Sequence, residues 1–198
     1  MKRISVYLVS LFFFYQSSLQ AYSSNPKEFI DELVNEAISK LADKNLNEED
    51  KKMFIENIAL ENVDINALGL YTLGELRKSS SDEDISTYQK SFRKYFLKSL
   101  TSRLTDYSSS KFEILEEDKK SSNYTIVKSI IIPDDGGPDI KIDWRIYTKN
   151  PEKPLIRDLI VEGLSLARTQ KEEFASVLNS NNNDIKILIN KLDEFVNK

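Results

Sequence analysis

The spacing of apolar residues changes twice along the chain, and this order leaves few folds open. In residues 26–104 apolar side chains recur every three or four positions, as on helices with one buried face. In residues 112–161 they alternate with polar residues or form short β-branched runs, which predicts strands. The helical spacing returns in residues 165–196. This order predicts an α+β fold, in which helices pack on one face of a curved, mainly antiparallel four-stranded sheet.

The third predicted strand, residues 140–148, shows the sharpest alternation. One face carries Ile140, Ile142, Trp144 and Ile146, and the other carries Lys141, Asp143, Arg145 and Tyr147. Such a pattern is typical of a strand with one face on the core and one in water. The turn at residues 133–138, with two prolines and two glycines, makes this strand the return of a hairpin.

The amino terminus has the order of a secretory signal. Lys2 and Arg3 precede an apolar run of about twelve residues, and small and polar residues follow up to Ala21. The run is shorter than the roughly 20 residues that span a bilayer, so a permanent anchor is the weaker alternative. We expect a signal peptide over residues 1–21 and a single domain over residues 22–198, exported from the cytoplasm.

Composition excludes several classes of function. The chain has no histidine and no cysteine, which removes Ser-His-Asp and Cys-His nucleophiles, the usual zinc sites and disulfides. We therefore expect no metal site and no cofactor. The net charge of −4, from 28 basic and 32 acidic side chains, gives no electrostatic support for nucleic-acid binding.

Several sequence blocks resemble the MlaC family of periplasmic phospholipid carriers, also known from toluene-tolerance systems. The most specific is residues 158–178, where a strand is followed by Glu162-Gly163, a polar helix start and an acidic-aromatic pair. Residues 69–74, 92–96 and 183–192 resemble the family's Leu-Gly turn, its aromatic-basic helix centre and its closing helix. The resemblance covers nearly all of the mature chain in the right order.

The resemblance implies a soluble carrier in the periplasm and no enzymatic activity. Such a carrier takes phospholipid between an outer-membrane MlaA-like lipoprotein complex and the MlaD-like MCE ring of an inner-membrane ABC transporter, and so maintains lipid asymmetry. It implies a half-wrapped sheet resembling NTF2-like or cystatin folds, with acyl chains held in an apolar cavity between sheet and helices. We expect a monomer that docks transiently on these membrane complexes.

The residues proposed for lipid contact come from the long helix, the third strand and the segment before the long helix. They are Leu68, Leu73, Phe92, Phe96, Leu100, Ile142, Trp144 and Ile146. Each has the alternative role of an ordinary core residue, because a helix stripe facing a sheet stripe also builds a solid core.

Two further groups are proposed nearer the surface. Glu162 and Leu164 are placed at the pocket mouth, where Gly163 allows a positive φ and Glu162 either faces the headgroup or bonds a backbone amide of the next helix. Lys141 and Arg145 are proposed as a basic docking patch, with a merely solvated face as the alternative.

Two rival functions stay open. One is a protein-binding adaptor with a solid core. The other is an NTF2-like enzyme without histidine, in which Asp143, Asp158 or Glu162, carboxylates near strand positions, would act as a base.

Overall fold

The computed structural model describes residues 22–104 and 110–198. The predicted signal peptide, residues 1–21, lies outside the described residues. The helices and strands follow one another in the predicted order: α1 Pro26–Ala42, α2 Glu48–Asn62, α3 Ile65–Thr72, a 3₁₀ helix Gly74–Lys78, α4 Asp82–Leu104, β1 Ser110–Ser121, β2 Tyr124–Pro133, β3 Ile140–Tyr147, β4 Leu155–Val161, β5 Leu164–Ser165, α5 Leu166–Asn179 and α6 Ile185–Val196.

Local sequence sets where most of these helices begin. Asn25, Asn47 and Ser165 cap α1, α2 and α5 by accepting hydrogen bonds from backbone N–H groups of the first turn. Each cap satisfies donors that have no partner within the helix. Pro26 then occupies the first position of α1, where its missing N–H costs nothing.

The strands form one antiparallel sheet in the order β1-β2-β3-β4-β5. The predicted sheet had four strands, and the fifth is a two-residue strand that the sequence pattern was too short to indicate. It forms because Glu162 and Gly163 both adopt positive φ, +50° and +81°, and reverse the chain within two residues. The predicted alternation on β3 is confirmed, since Ile142, Trp144 and Ile146 are buried.

The outer strand β1 is longer than the pattern of Phe112 and Ile114 indicated, and its second half is highly charged. Its register with β2 shifts between Ile114 and Glu116, so Leu115 forms a bulge. Lys128 of β2 pairs with Glu116 across the strands. The charges are compatible with a strand because an outer strand has one edge in water.

Helices cover the sheet unevenly. α1 packs on β1 and β2, whereas α3 and α5 contact the sheet at β4, and α4 packs mainly on α6 and α3. In residues 22–104 and 110–198 no helix is both long and apolar enough to cross a membrane.

Candidate functional site

The first of two apolar clusters joins α1 to the sheet and is called here the sheet-side cluster. Its buried members are Phe29, Ile30, Leu33, Val34, Phe112, Val127, Ile142, Trp144, Ile146 and Ile156. Half-buried residues that pack against it include Ile131, Ile140, Leu159 and Val161. The rim of this cluster is therefore apolar and only partly covered.

Trp144 is held in this cluster by a buried polar group. Its indole Nε1–H donates to Ser129 Oγ at 2.9 Å, and the Ser129 hydroxyl donates to the Ile142 carbonyl oxygen at 3.0 Å. The Phe112 ring meets the indole edge to face, with centroids 6.4 Å apart. Because Ser129 is fully buried, this chain of bonds satisfies groups that water cannot reach.

The second, helix-side cluster joins α3, α4, α5 and α6. Its buried members are Ile65, Leu73, Tyr88, Phe92, Phe174, Leu178, Ile185, Leu188, Ile189 and Leu192. The Tyr88 hydroxyl is hydrogen-bonded to Thr72 Oγ1 at 2.9 Å, and burial raises the pKa of Tyr88. A Cβ atom on Gly69 would lie 2.9 Å from Cδ1 of Phe92, so the glycine permits α3 and α4 to approach closely.

The residues proposed for lipid contact divide between these clusters. Leu73 and Phe92 are buried in the helix-side cluster, and Leu68 and Phe96 pack half-buried against it. Ile142, Trp144 and Ile146 belong to the sheet-side cluster. Leu100 is half-buried on α4. The structure thus brings together the members of each group and places the two groups in separate clusters.

Two hollows on the described surface are open and polar. One, of about 500 Å³, lies between the start of α4 and α6, and the other, of about 600 Å³, lies between the start of α1 and β1. None of the proposed lipid-contact residues lines either hollow. The expected apolar cavity is neither of these hollows, and in this conformation the proposed residues pack against protein side chains.

The two clusters meet at a seam, defined here as Val63, Asp64, Ile156 and Arg157. Val63 packs against both clusters and forms a parallel bridge with Ile156, whose carbonyl accepts a 2.9 Å hydrogen bond from the Asp64 N–H. Arg157 donates from Nε and Nη2 to Asp64 Oδ2, at 2.9 and 2.7 Å. The seam therefore ties the start of α3 to β4.

Two tyrosines of the sheet also contact Arg157 of the seam. Arg157 Nη1 donates to the Tyr124 hydroxyl at 2.8 Å, and its guanidinium stacks 3.4 Å from the Tyr147 ring centroid. The seam was not predicted from the sequence. The available signals were Arg157 within a mostly apolar strand and Asp64 just before the short helix α3.

The hairpin between β4 and β5 presents the residues proposed for the mouth. Leu164 is 69% exposed. The positive φ of Gly163 is confirmed. Glu162 accepts a hydrogen bond from the Lys141 N–H on β3, so its carboxylate contacts the neighbouring strand and not the next helix.

At the start of that helix, Asp158 accepts hydrogen bonds beside the Ser165 cap. Its Oδ1 accepts from the Ala167 N–H at 3.0 Å, and its Oδ2 accepts from the Ser165 hydroxyl at 2.6 Å. Both oxygens of this buried carboxylate are engaged, which gives Asp158 a clear structural role.

Lys141 and Arg145 are exposed on the outer face of β3, as the alternation predicted. Arg145 Nη1 lies 3.8 Å from Asp158 Oδ2. In the ranges that the structure describes, no three acidic side chains come together in a group that could hold a metal ion.

Comparisons with known proteins identify a family and, separately, a similar fold. The MlaC family profile, described as MlaC protein, matches residues 31–194. Among solved structures, the chain is similar to a phospholipid-binding protein from Ralstonia solanacearum in complex with a phospholipid, with a TM-score of 0.71 and 16% sequence identity. The alignment covers 86% of this chain and 96% of that chain. No curated protein sequence matches the chain.

Proposed function

Because this chain belongs to the MlaC family, we propose that it is a phospholipid carrier and not an enzyme. The observation that carries the proposal is the family match over residues 31–194. The likeness in fold to a protein crystallised with a phospholipid supports it. In this proposal residues 22–198 form one lipid-binding domain, and residues 1–21 direct it to the periplasm.

The chemistry of the ligand explains why a carrier needs an apolar interior. Two acyl chains carry roughly thirty methylene groups, each worth about 0.8 kcal/mol when removed from water, so their transfer into an apolar site is worth about 20 kcal/mol. An apolar interior lets the carrier exchange the chains with a membrane at little net cost, because neither side exposes them to water.

The acyl chains would lie between the sheet-side and helix-side clusters. Half-buried apolar side chains on both sides are available for contact: Leu159 and Val161 on the sheet side, Leu68 and Phe96 on the helix side. The more deeply buried residues proposed from the sequence, such as Ile142 and Phe92, would be reached only when the clusters separate. In this proposal the cavity therefore opens only when lipid enters, and acyl chains replace side-chain contacts between the two clusters.

The surface residues have corresponding roles in the proposal. Leu164, exposed at the β4–β5 hairpin, would meet the glycerol end of the acyl chains, and Glu162 beside it would face the headgroup. Lys141 and Arg145 would contribute to docking on membrane complexes. The carrier would exchange lipid between an MlaA-like lipoprotein complex and an MlaD-like MCE ring, and so maintain outer-membrane asymmetry.

Organic extraction followed by mass spectrometry tests the proposal. Protein purified from the periplasm without detergent should contain phospholipid in a fixed ratio to protein. Lipid-free protein would support an adaptor with a solid core, and release of free fatty acid during incubation would indicate an acyl hydrolase.

A matched pair of variants tests where the lipid lies. Val161→Asp places a charge at the half-buried rim of the sheet-side cluster, whereas Leu115→Asp places the same charge on the β1 bulge, where the leucine is 55% exposed. Bound phospholipid should fall markedly in the first variant and stay at the wild-type ratio in the second. Equal lipid content in both folded variants would contradict a site at this rim.

A further inference from the structure

Helix α2 carries apolar side chains on a face that no other element covers in the described structure. Met53 and Leu60 are 47% and 42% exposed, and Asn57 lies between them on the same face. Residues seven apart on a helix share one side, here about 10 Å apart along the axis. The buried residues Ile55 and Ala59 point to the opposite side. This exposed face is called here the α2 stripe.

The stripe lies in the most acidic part of the chain. Residues 22–62, which contain α1 and α2, have ten acidic and five basic side chains, a net charge of −5. Residues 63–198 have 22 acidic and 21 basic side chains, a net charge of −1. Nearly all of the excess negative charge of the mature chain is therefore on one helical pair.

The two helices present part of this charge to the same region. The Tyr22 hydroxyl donates to Glu36 Oε2 at 2.6 Å. Burial, together with Glu36, Glu61 and Glu32, raises the pKa of Tyr22. Carboxylates from both helices thus lie within electrostatic reach of one group.

The lysines of α2 do not offset the charge near the stripe. Lys51 and Lys52 pair with Glu48 and Glu49 of the first turn, at 3.4 and 3.7 Å. Glu56 and Glu61 flank the α2 stripe further along the helix. The surface therefore combines two apolar side chains, on either side of Asn57, with an acidic surround, as in an interface with an apolar centre and a polar rim.

We propose that the α2 stripe docks into an apolar groove, rimmed by lysine and arginine, on a partner protein. Met53 and Leu60 would fill the groove, since methionine adapts to irregular surfaces, and the surrounding carboxylates would steer the encounter. An anionic bilayer is disfavoured as the occupant because the same charges repel it. A symmetric contact between two copies is disfavoured because it brings two surfaces of net charge −5 together.

This inference rests on the proposed carrier function, because a carrier must dock on the complexes that give and take its lipid. It adds a docking surface on a part of the chain distant in sequence from Lys141 and Arg145.

The test is a binding measurement with three immobilised probes: an MlaD-like ring, an MlaA-like lipoprotein complex, and vesicles that contain anionic lipid. The double variant Met53→Ser/Leu60→Ser should bind at least one protein complex about tenfold more weakly than wild type. Leu115→Ser, at an exposed leucine on β1, is the control and should bind as wild type. Sedimentation of each protein reports self-association.

A second variant tests the charges. Glu56→Gln/Glu61→Gln should weaken the same binding and reduce its dependence on salt, whereas Glu172→Gln/Glu194→Gln, at exposed positions on α5 and α6, should change neither. Bound phospholipid should stay at the wild-type ratio in all four variants.

The outcomes separate this inference from the carrier proposal. Unchanged binding of Met53→Ser/Leu60→Ser to both complexes overturns the docking surface, and so does a wild-type chain that binds neither complex. If that variant keeps its binding to the complexes but loses vesicle binding, the stripe contacts a bilayer; if it loses self-association instead, the stripe contacts a second copy. Either result also overturns the proposed docking surface. Absence of phospholipid from the wild-type protein contradicts the carrier proposal alone.

Discussion

The sheet-side and helix-side clusters contain similar numbers of buried apolar residues but are closed in different ways. In the helix-side cluster the aromatic rings contact one another, and Phe92 meets Tyr88, Tyr95, Phe96 and Phe174 at centroid distances of 5.8–6.4 Å. The sheet-side cluster has as many buried aromatic residues, but its rings meet in pairs, Tyr22 with Phe29 and Phe112 with Trp144. Aliphatic side chains surround these pairs, the apolar rim is half-buried, and Ser129 is an internal polar anchor. Interlocked rings resist rearrangement, whereas aliphatic residues under a partial cover repack at lower cost.

The difference assigns separate roles to the two clusters in the proposed carrier. The helix-side cluster would be a rigid body, and the sheet-side cluster would adapt to acyl chains. The seam, where Arg157 and Asp64 join β4 to α3, would limit how far the two separate.

The strongest test of this comparison is Phe92→Ala. Removing a ring that touches four others should lower the free energy of unfolding by about 3–5 kcal/mol, measured by urea titration. Bound phospholipid should stay close to the wild-type ratio, because alanine keeps that surface apolar. Leu164→Ala, at a mostly exposed leucine, should change stability by no more than about 0.5 kcal/mol. If Phe92→Ala kept its stability and lost its lipid, the two roles would be reversed.

Asp64→Asn tests the seam. The substitution keeps a side chain that can cap α3 but removes the charge that Arg157 meets with two hydrogen bonds. We expect a loss of about 1.5–3 kcal/mol in the free energy of unfolding and faster phospholipid exchange with vesicles. Glu75→Gln breaks an exposed pair with Lys78 and should leave both the free energy of unfolding and the exchange rate close to wild type. Equal exchange rates in the two variants would mean that the seam does not limit lipid entry.

Ser129→Ala tests the polar anchor of the sheet-side cluster. It leaves the indole N–H of Trp144 without its buried partner, so the free energy of unfolding should fall by about 1–2 kcal/mol. Since Trp144 is the one tryptophan of the chain, a change in its fluorescence spectrum reports any movement of the ring. An unchanged spectrum with unchanged stability would show that packing alone holds the indole.

The smallest expected effect is a difference in the quenching of tryptophan fluorescence. Phospholipid with brominated acyl chains should quench Trp144 fluorescence if the chains lie against the sheet-side cluster. Moving the tryptophan to the helix side, with Trp144→Phe/Leu76→Trp, should give weaker quenching, because Leu76, on the 3₁₀ helix, packs against the helix-side cluster. Stronger quenching in the moved variant would place the acyl chains among the helices instead.

Much of the fold follows from local patterns in the sequence. Asn47 and the acidic residues after it predict the start of α2, and the alternation from Ile140 to Ile146 predicts which face of β3 is buried. These predictions succeed because each depends on a few neighbouring residues and on the period of one element.

The candidate site was less accessible to this reasoning. Phe92 and Trp144 are both large and both lie on buried faces, but nothing local reveals that they belong to different clusters, because that depends on how whole elements pack. The pairing of Asp64 with Arg157, 93 positions apart, is of the same kind. The role of Asp158 was also missed, since its partners come from a helix start that folds back beside the strand.

The charged outer strand bears on how the protein behaves when many copies are crowded together. A twelve-residue strand with one free side offers a template on which another chain can extend the sheet, and repeated addition leads to fibres. The run from Glu116 to Lys120 and the kink at Leu115 make such addition unfavourable, because incoming strands meet solvated charges and a broken register. In the proposed lipid carrier, the charges and the bulge of β1 thereby oppose polymerisation along the exposed edge of the sheet.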